Sequence, residues 1–438
     1  MTDESRRRLL RTAGMGLGLG ATASVLASCS TDTAPVAVES STRTVVATVS
    51  TEASGSQNSA RIDAAIAEAH RTGADVLIPG GTYDFTGFSF PNDGRVSIRG
   101  AGRGATVLRN IAQGASVTAH GDTGGPYSPS WTLSHLTLDA STRDETAGLD
   151  VLLSTGFTVN DIDIINHRIG VLHKSAWACQ YTDIRVSNCD IGWRFPTSQF
   201  TPSAPVTLSN CHAIESGTAV EIEDAIECLL WSGGDWSGCG TGMVVTGNEV
   251  RAVRLQAINF ERIVNEDVIV GGDATGPAGL SLVSCRFFRT SRGPVSIRYR
   301  RGQSLAVSDC SWTDYRTAIA QEGTAGSLVA TANAASLVEN FIDRTGTIVP
   351  NEPFVATAGT DTARVSFTGT SVLHSVSAPE GVQTKFVSGE GKRTISDADF
   401  PSLRPAPGWT AVVEDTRTGA VRHAVRGTDD WRVSAPYL

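Results

Sequence analysis

"DIRVSNCDIGWRF" (Asp183–Phe195) and "PVTLSNCHAIESGTAVEI" (Pro205–Ile222) follow one plan: an extended apolar run, then Ser-Asn-Cys, then a small residue that opens a second extended run. Weaker copies are "SLVSCRFF" (Ser281–Phe288) and "LAVSDCSW" (Leu305–Trp312). Cys189 and Cys211 lie 22 residues apart, Cys285 and Cys310 lie 25 apart. A second column opens the following strands at Gly148, Gly170, Gly192, Ala219, Gly242, Pro294 and Ala318, with intervals of 22, 22, 27, 23, 52 and 24. The interval of 52 reads as two turns, with the missing member near Val268. Self-similarity at such a period is the mark of a repeat architecture.

A short strand, a turn, another strand and a longer loop cannot bury an apolar face alone, but stacked copies can. No helical pattern separates the strands and no heptad appears, so the fold class is all-β, a parallel β-helix in which each coil adds about 4.8 Å along the axis. Equivalent residues then sit above one another. Cys189, Cys211, Cys285 and Cys310 are expected as a ladder of small buried thiols, with Asn188 and Asn210 as a turn ladder. The absence of any CxxC or Cys/His cluster favours packing over disulfide or metal roles.

The N-terminus concerns location rather than fold. "SRRRLLR" (Ser5–Arg11) is a basic twin-arginine run, and a Gly-rich apolar stretch follows and ends in "LASC" (Leu26–Cys29). This resembles a Tat lipoprotein signal, which implies removal of residues 1–28 and acylation of Cys29, so that the membrane is a partner through the lipid anchor. An ordinary secretory signal is the alternative. Residues 29–42 read as a polar tether. Seven further cysteines cannot all pair within the chain. A net charge of −9 with few lysines argues against a nucleic-acid partner.

"SARIDAAIAEAHRTG" (Ser59–Gly73) carries a Ser N-cap, apolar residues at Ile62, Ala65, Ile66 and Ala69, and Gly73 as a stop, and is expected to be a cap helix over the first coil. In "VSIRGAGRGATVLRN" (Val96–Asn110) the glycines suggest a phosphate loop, but a strand follows where a nucleotide site needs a helix. A tight corner between strands fits better.

Together, "IDAAIAEAHRTGADVLIPGGTYDF" and "VSIRGAGRGATVLR" resemble the opening segment of the pectin lyase-like superfamily. The resemblance implies a right-handed parallel β-helix over 43–375. It also implies a polysaccharide partner, because lyases, hydrolases, epimerases and tailspike depolymerases share the segment; fold alone does not choose among them. The Asp-Asp and Gly-His-Gly motifs of polygalacturonases are missing from the solenoid, and "RGPVSIR" (Arg292–Arg298) is one residue longer than the pectate lyase motif that it resembles. Residues 376–438, ending in G-x-x-x-W-R, resemble the small β module of tailspike-like chains. Trimerisation is one possibility that this implies.

Strand alternation counted from the small-residue column points the second and fourth residues outward. Those positions hold the candidate catalytic residues Glu221, Glu223, Arg194 and Lys174, and the candidate substrate-binding residues Asp150, Arg298 and Glu322. Glu221 and Glu223 stand about 6.5–7 Å apart along one strand, the lower edge of the separation for an acid and base flanking a glycosidic bond. A lyase would instead use Lys174 or Arg194 as base. Calcium on Glu221, Glu223 and Asp224 is a possible cofactor, and a solvated face of ion pairs is the bland alternative. His173 points inward by this count. Trp131, Trp177, Trp231, Trp236 and Trp312 could stack on sugars or fill the core. The expected function is action on a polysaccharide, by lyase or hydrolase chemistry on a uronate-containing chain; a non-catalytic glycan-binding spacer or adhesin is the alternative.

Overall fold

The computed structural model describes residues 43–345, apart from 123–127, 144–145, 198–199, 201, 224–225, 248 and 273–275. Beyond these it describes 354–358, 364–368, 376–377, 383–389, 394–395, 410–415, 417, 420–426 and 431–433. The signal segment, Cys29, the tether and Asp224 lie outside the described residues.

The chain coils into a parallel β-solenoid of about ten turns, each strand pairing in register with its equivalents one turn away. A full turn presents three faces. The first face stacks 132–134, 158–160, 179–182, Val206–Ser209 and 229–232. The second stacks 136–140, 162–165, 185–187 and His212–Ile214. The third stacks Gly114–His120, Thr146–Leu152, Ile169–Lys174, Ile191–Phe195, Thr218–Ile222, Thr241–Val245 and Val268–Val270.

Single left-handed residues turn the chain between faces. His135, Asp161, Asp183, Asn210, Ala257, Ser284 and Asp309 mark the first corner, and Asn166, Asn188, Glu215 and Arg262 the second, all with φ between 50° and 63°. Short polar side chains tolerate this conformation best, which explains the recurrence of Asn and Asp.

Here the cysteine ladder needs correction. The Asn188 N–H donates to the Ile214 carbonyl, so Asn188 stacks with Glu215, whereas the Asn210 N–H donates to Ser232 and Asn210 belongs to the other corner. The two Ser-Asn-Cys copies therefore occupy different corners, and neither Cys189 and Cys211 nor Asn188 and Asn210 are stack neighbours. Cys189 shares its corner with Ser216 and Cys239; Cys211 shares its column with Cys285 and Cys310. These five thiols are buried and unbridged.

Gly148, Gly170, Gly192, Ala219 and Gly242 do stack in register. A Cβ on Gly170 would lie 2.3 Å from Val186 Cγ1 and 2.5 Å from the Gly192 carbonyl, so the close approach of the chain demands glycine. The column continues through Asp267 and Ser296 to Ala318, because Met243 pairs with Val268, Val268 with Ile297, and Ile297 with Ile319. Pro294 is not a member: a register shift between Phe288 and Gly293 delays the strand by two residues. Val295 accordingly is not inward, and Ser296, Ile297 and Tyr299 fill the interior instead.

Inside, aromatic rings form a continuous stack. Centroid separations are 4.2 Å for Trp131–Phe157, 5.2 Å for Trp193–Trp231, 4.9 Å for Trp231–Trp236, 4.6 Å for Phe260–Phe287 and 4.8 Å for Phe287–Trp312. The rings recur at roughly the spacing of the turns, and each such pair contributes about 0.5–1.5 kcal/mol beyond its buried area. Trp131, Trp231, Trp236 and Trp312 are thus core residues.

At the first turn a helix spans Gly55–Thr72 and buries Ile62, Ala65, Ile66 and Ala69. Ser54, not Ser59, is its N-cap, in a capping box with Gln57; Gly73 ends it with φ 70°. Ser59 is buried and accepts a hydrogen bond from the Thr86 N–H. A separate five-stranded sheet comprises Val376–Ser377, Gln383–Gly389, Thr410–Asp415, Ala420–Arg426 and Trp431–Val433. No helix of the described residues is long and apolar enough to cross a membrane.

Candidate functional site

Alternation along the third face determines the site. Val171, Trp193, Phe195, Val220, Ile222, Met243 and Val245 point into the core, so the residues between them face outward. Asp150, Leu172, Arg194, Glu221, Val244, Ile269, Arg298 and Ala320 form one column in register. Two residues further along lie Lys174, Glu223 and Glu322. All seven residues singled out from the sequence on this face therefore share it, and they gather into three ionic groups.

In the first group Asp150 takes Lys174 Nζ at 2.9 Å and His120 Nε2 at 3.1 Å. Burial pushes the Asp150 carboxyl up, but hydrogen bonds from His120 and Lys174 more than offset this and hold it below its usual range. In the middle group Arg194 Nε lies 3.2 Å from Glu221 Oε2 and 3.0 Å from Glu223 Oε1. The third group centres on Arg298, whose Nε lies 2.9 Å from Glu266 and whose Nη1 reaches Glu322, with Arg300 3.7 Å from Glu322.

Glu221 differs from its neighbours. Its carboxyl is raised above the ordinary value by burial first, with Glu223 adding to the rise and Arg194 opposing it. One of its oxygens, Oε2, is buried and accepts no well-formed hydrogen bond. A carboxyl of raised proton affinity beside a second carboxyl, both contacting one guanidinium, is an arrangement suited to general acid chemistry. Lys174 Nζ, by contrast, is already engaged by Asp150.

The calcium set expected from the sequence includes Asp224, which lies outside the described residues. Glu221 and Glu223 both engage Arg194, and among the described residues no group of three or more His, Cys, Asp or Glu is placed to hold a metal. His173 is interior, as its position required, with Nδ1 2.8 Å from the Tyr181 hydroxyl; burial lowers it to about 3. Trp177 is half-buried.

The sequence reading missed His120, Glu266 and Arg300, which complete these groups. Their signal was available: His120 and Arg300 occupy outward positions of the same strands, while Glu266 lies two residues before a strand whose register was unknown. It also missed a network at the first corner, where Asp161 joins His135 Nδ1 at 2.7 Å and Arg103 Nε at 2.6 Å. His135 and Asp161 share the one-turn spacing of the corner column, but Arg103 lies outside it and no spacing announces its contact.

No family model matches the sequence, and no curated protein matches it. Solved structures do. The A-module of the mannuronan C-5 epimerase AlgE6 from Azotobacter vinelandii matches with TM-score 0.53 and 14% identity, over 73% of this chain and 95% of that one. A double-mutant tailspike protein of E. coli bacteriophage HK620, in complex with a pentasaccharide, matches with TM-score 0.55 and 12% identity, over 87% of this chain and 82% of that one. The same tailspike protein in a second complex gives TM-score 0.52 over the same shares. At these identities the likeness is one of fold.

Proposed function

We propose that the chain is an exported, lipid-anchored protein that acts on a polysaccharide, cleaving it by hydrolysis at the third face. The observation that carries this reading is the raised carboxyl of Glu221 beside Glu223 on an outward strand. Glu221 gives its proton to the leaving glycosidic oxygen, and Glu223 draws a proton from the attacking water. Arg194 contacts both carboxyl groups and holds them on one side of the strand. The pairing of Lys174 with Asp150 weighs against elimination, since the contact occupies the nitrogen that would take the proton. Support for a glycan comes from the epimerase and tailspike neighbours. Export and the anchor at Cys29 rest on the twin-arginine run and the "LASC" segment.

The deciding experiment is a polysaccharide panel pairing alginate and polygalacturonate with neutral glucans, followed both by reducing ends and by the absorbance of unsaturated uronates. Reducing ends without that absorbance support hydrolysis; the absorbance overturns it in favour of a lyase. The panel also tests the uronate preference. A second reading, a glycan-binding spacer without turnover, is favoured by the pairing of every third-face candidate with an opposite charge. It predicts retention of a glycan with no product.

A further inference from the structure

The first face is chemically unlike the third. Its outward positions on three consecutive turns are Thr158 and Asn160, Gln180 and Thr182, and Thr207 and Ser209, in register in two columns. Between them Val159, Tyr181 and Leu208 point into the core. All six are neutral and at least partly exposed, and none bonds through its side chain to another described residue. On the third face the outward charges are used up by one another; here the hydrogen-bonding capacity is idle.

The columns repeat at about 4.8 Å along the axis and stand about 6.5–7 Å apart across it. One turn below, Thr132 pairs with Thr158 and Ser134 with Asn160. Thr132 is also on the wall of a cleft of about 540 Å³ that Asp75, Arg95, Ser97, Ser130 and Gly156 help to line. That volume is within the range of small-molecule sites. The array therefore leads into a concavity at its N-terminal end.

We propose that the first face binds a neutral polysaccharide, seated lengthwise on the Thr158–Ser209 array with one end in the Thr132 cleft. A chain of hydroxyl groups offers donors and acceptors at every residue, matching side chains that are both donor and acceptor. A charged chain would lose solvation over these three turns and meet no opposite charge in return. The proposal takes its ligand class from the glycan reading above but is independent of the chemistry of the third face.

The test is affinity electrophoresis of the full chain in gels containing soluble β-glucan or galactomannan, with alginate and polygalacturonate in parallel. The expected result is retardation by at least one neutral glycan that changes little from low to high salt. Thr182→Lys and Thr207→Lys should each weaken it about tenfold, roughly the loss of one or two hydrogen bonds. Thr182→Val, which keeps volume and β-branching, should weaken it too while the circular dichroism spectrum is unchanged. Glu221→Gln should retain full retardation, so a failure of turnover and a failure of binding are read separately. The proposal is overturned if no neutral glycan retards the protein, if folded lysine variants bind like the parent, or if the parent sediments as a dimer that these variants dissociate.

Discussion

The Arg194 guanidinium stands one turn from the Glu221 carboxyl, Nε 3.2 Å from Oε2, and also donates to Glu223, one residue past the end of that strand. One cation thus engages two acids. Glu221→Gln is expected to lower glycan cleavage by about 10²–10⁴-fold, the usual worth of a positioned acid. The thermal midpoint should scarcely move, because Glu221 is half-exposed and its ion pair is worth little to stability. A full loss of turnover accompanied by unfolding would remove Glu221 from the mechanism.

The same contact fixes a pH dependence. As an acid, Glu221 works only while protonated, so activity should fall as pH rises through its raised pKa. Arg194 opposes the rise; Arg194→Met should therefore move this alkaline limb to higher pH. A rate profile whose limb stays put in that variant would show that some other group is titrating.

In the stacked column, Gly170 and Gly192 leave no room for a side chain. A Cβ on Gly192 would meet the Ala219 carbonyl at 2.6 Å. Gly192→Val should destabilise the fold by about 1–3 kcal/mol or more, the range for overpacking, seen as a lower denaturant midpoint. An unchanged midpoint would mean that the turns are not in this register.

Interior titratable groups give stability its pH profile. Burial lowers His167 to about 4 and His173 to about 3. Below pH 6.5 the unfolded chain takes up protons that the folded one refuses, so stability should fall as pH drops toward those values. Asp267 runs the other way: burial raises it to about 7, with Arg289 only partly offsetting this. Above pH 3.8 the unfolded Asp267 loses its proton while the folded one retains it, so its penalty grows until about pH 7 and is constant beyond. Asp267→Asn should therefore raise the urea midpoint relative to the parent at pH 8 more than at pH 4. Equal effects at both pH values would place the ionised form in the core.

Among the described cysteines Cys228 alone is exposed. Burial pushes Cys189 and Cys211 up to about 12 and Cys239 up to about 11, which withholds the reactive thiolate. An aromatic disulfide reagent should modify Cys228 quickly in the native protein and the remaining cysteines of the solenoid only on unfolding. Rapid modification of Cys189 or Cys211 would contradict the packed corners.

What the sequence disclosed depended on how each feature is encoded. The glycine column was legible because backbone approach permits almost no alternative residue, and with it came Asp150, Lys174, Arg194, Glu221, Glu223, Arg298 and Glu322, though not Arg300. Ser-Asn-Cys misled because both corners make the same demand, a left-handed residue followed by a small buried one; Asn188-Cys189 and Asn210-Cys211 satisfy it at different places in the coil. Pro294 failed because the extra residues after Phe288 shift the strand, a change that counting does not reveal. The neutral array on the first face escaped notice since Thr, Ser and Gln are unremarkable singly, and only their registration makes a surface.

Asp267 occupies the position where neighbouring turns carry Gly242 and Ser296, and its side chain is wholly enclosed beside Arg289, 3.9 Å away. A stack built from interchangeable rungs would otherwise be free to slip by one whole rung at little loss, since each layer of aromatic and aliphatic side chains resembles the next. Among the described residues the enclosed Asp267 carboxyl has a buried arginine beside it at one level only. It therefore acts as an index mark that tells the coil which rung it is on.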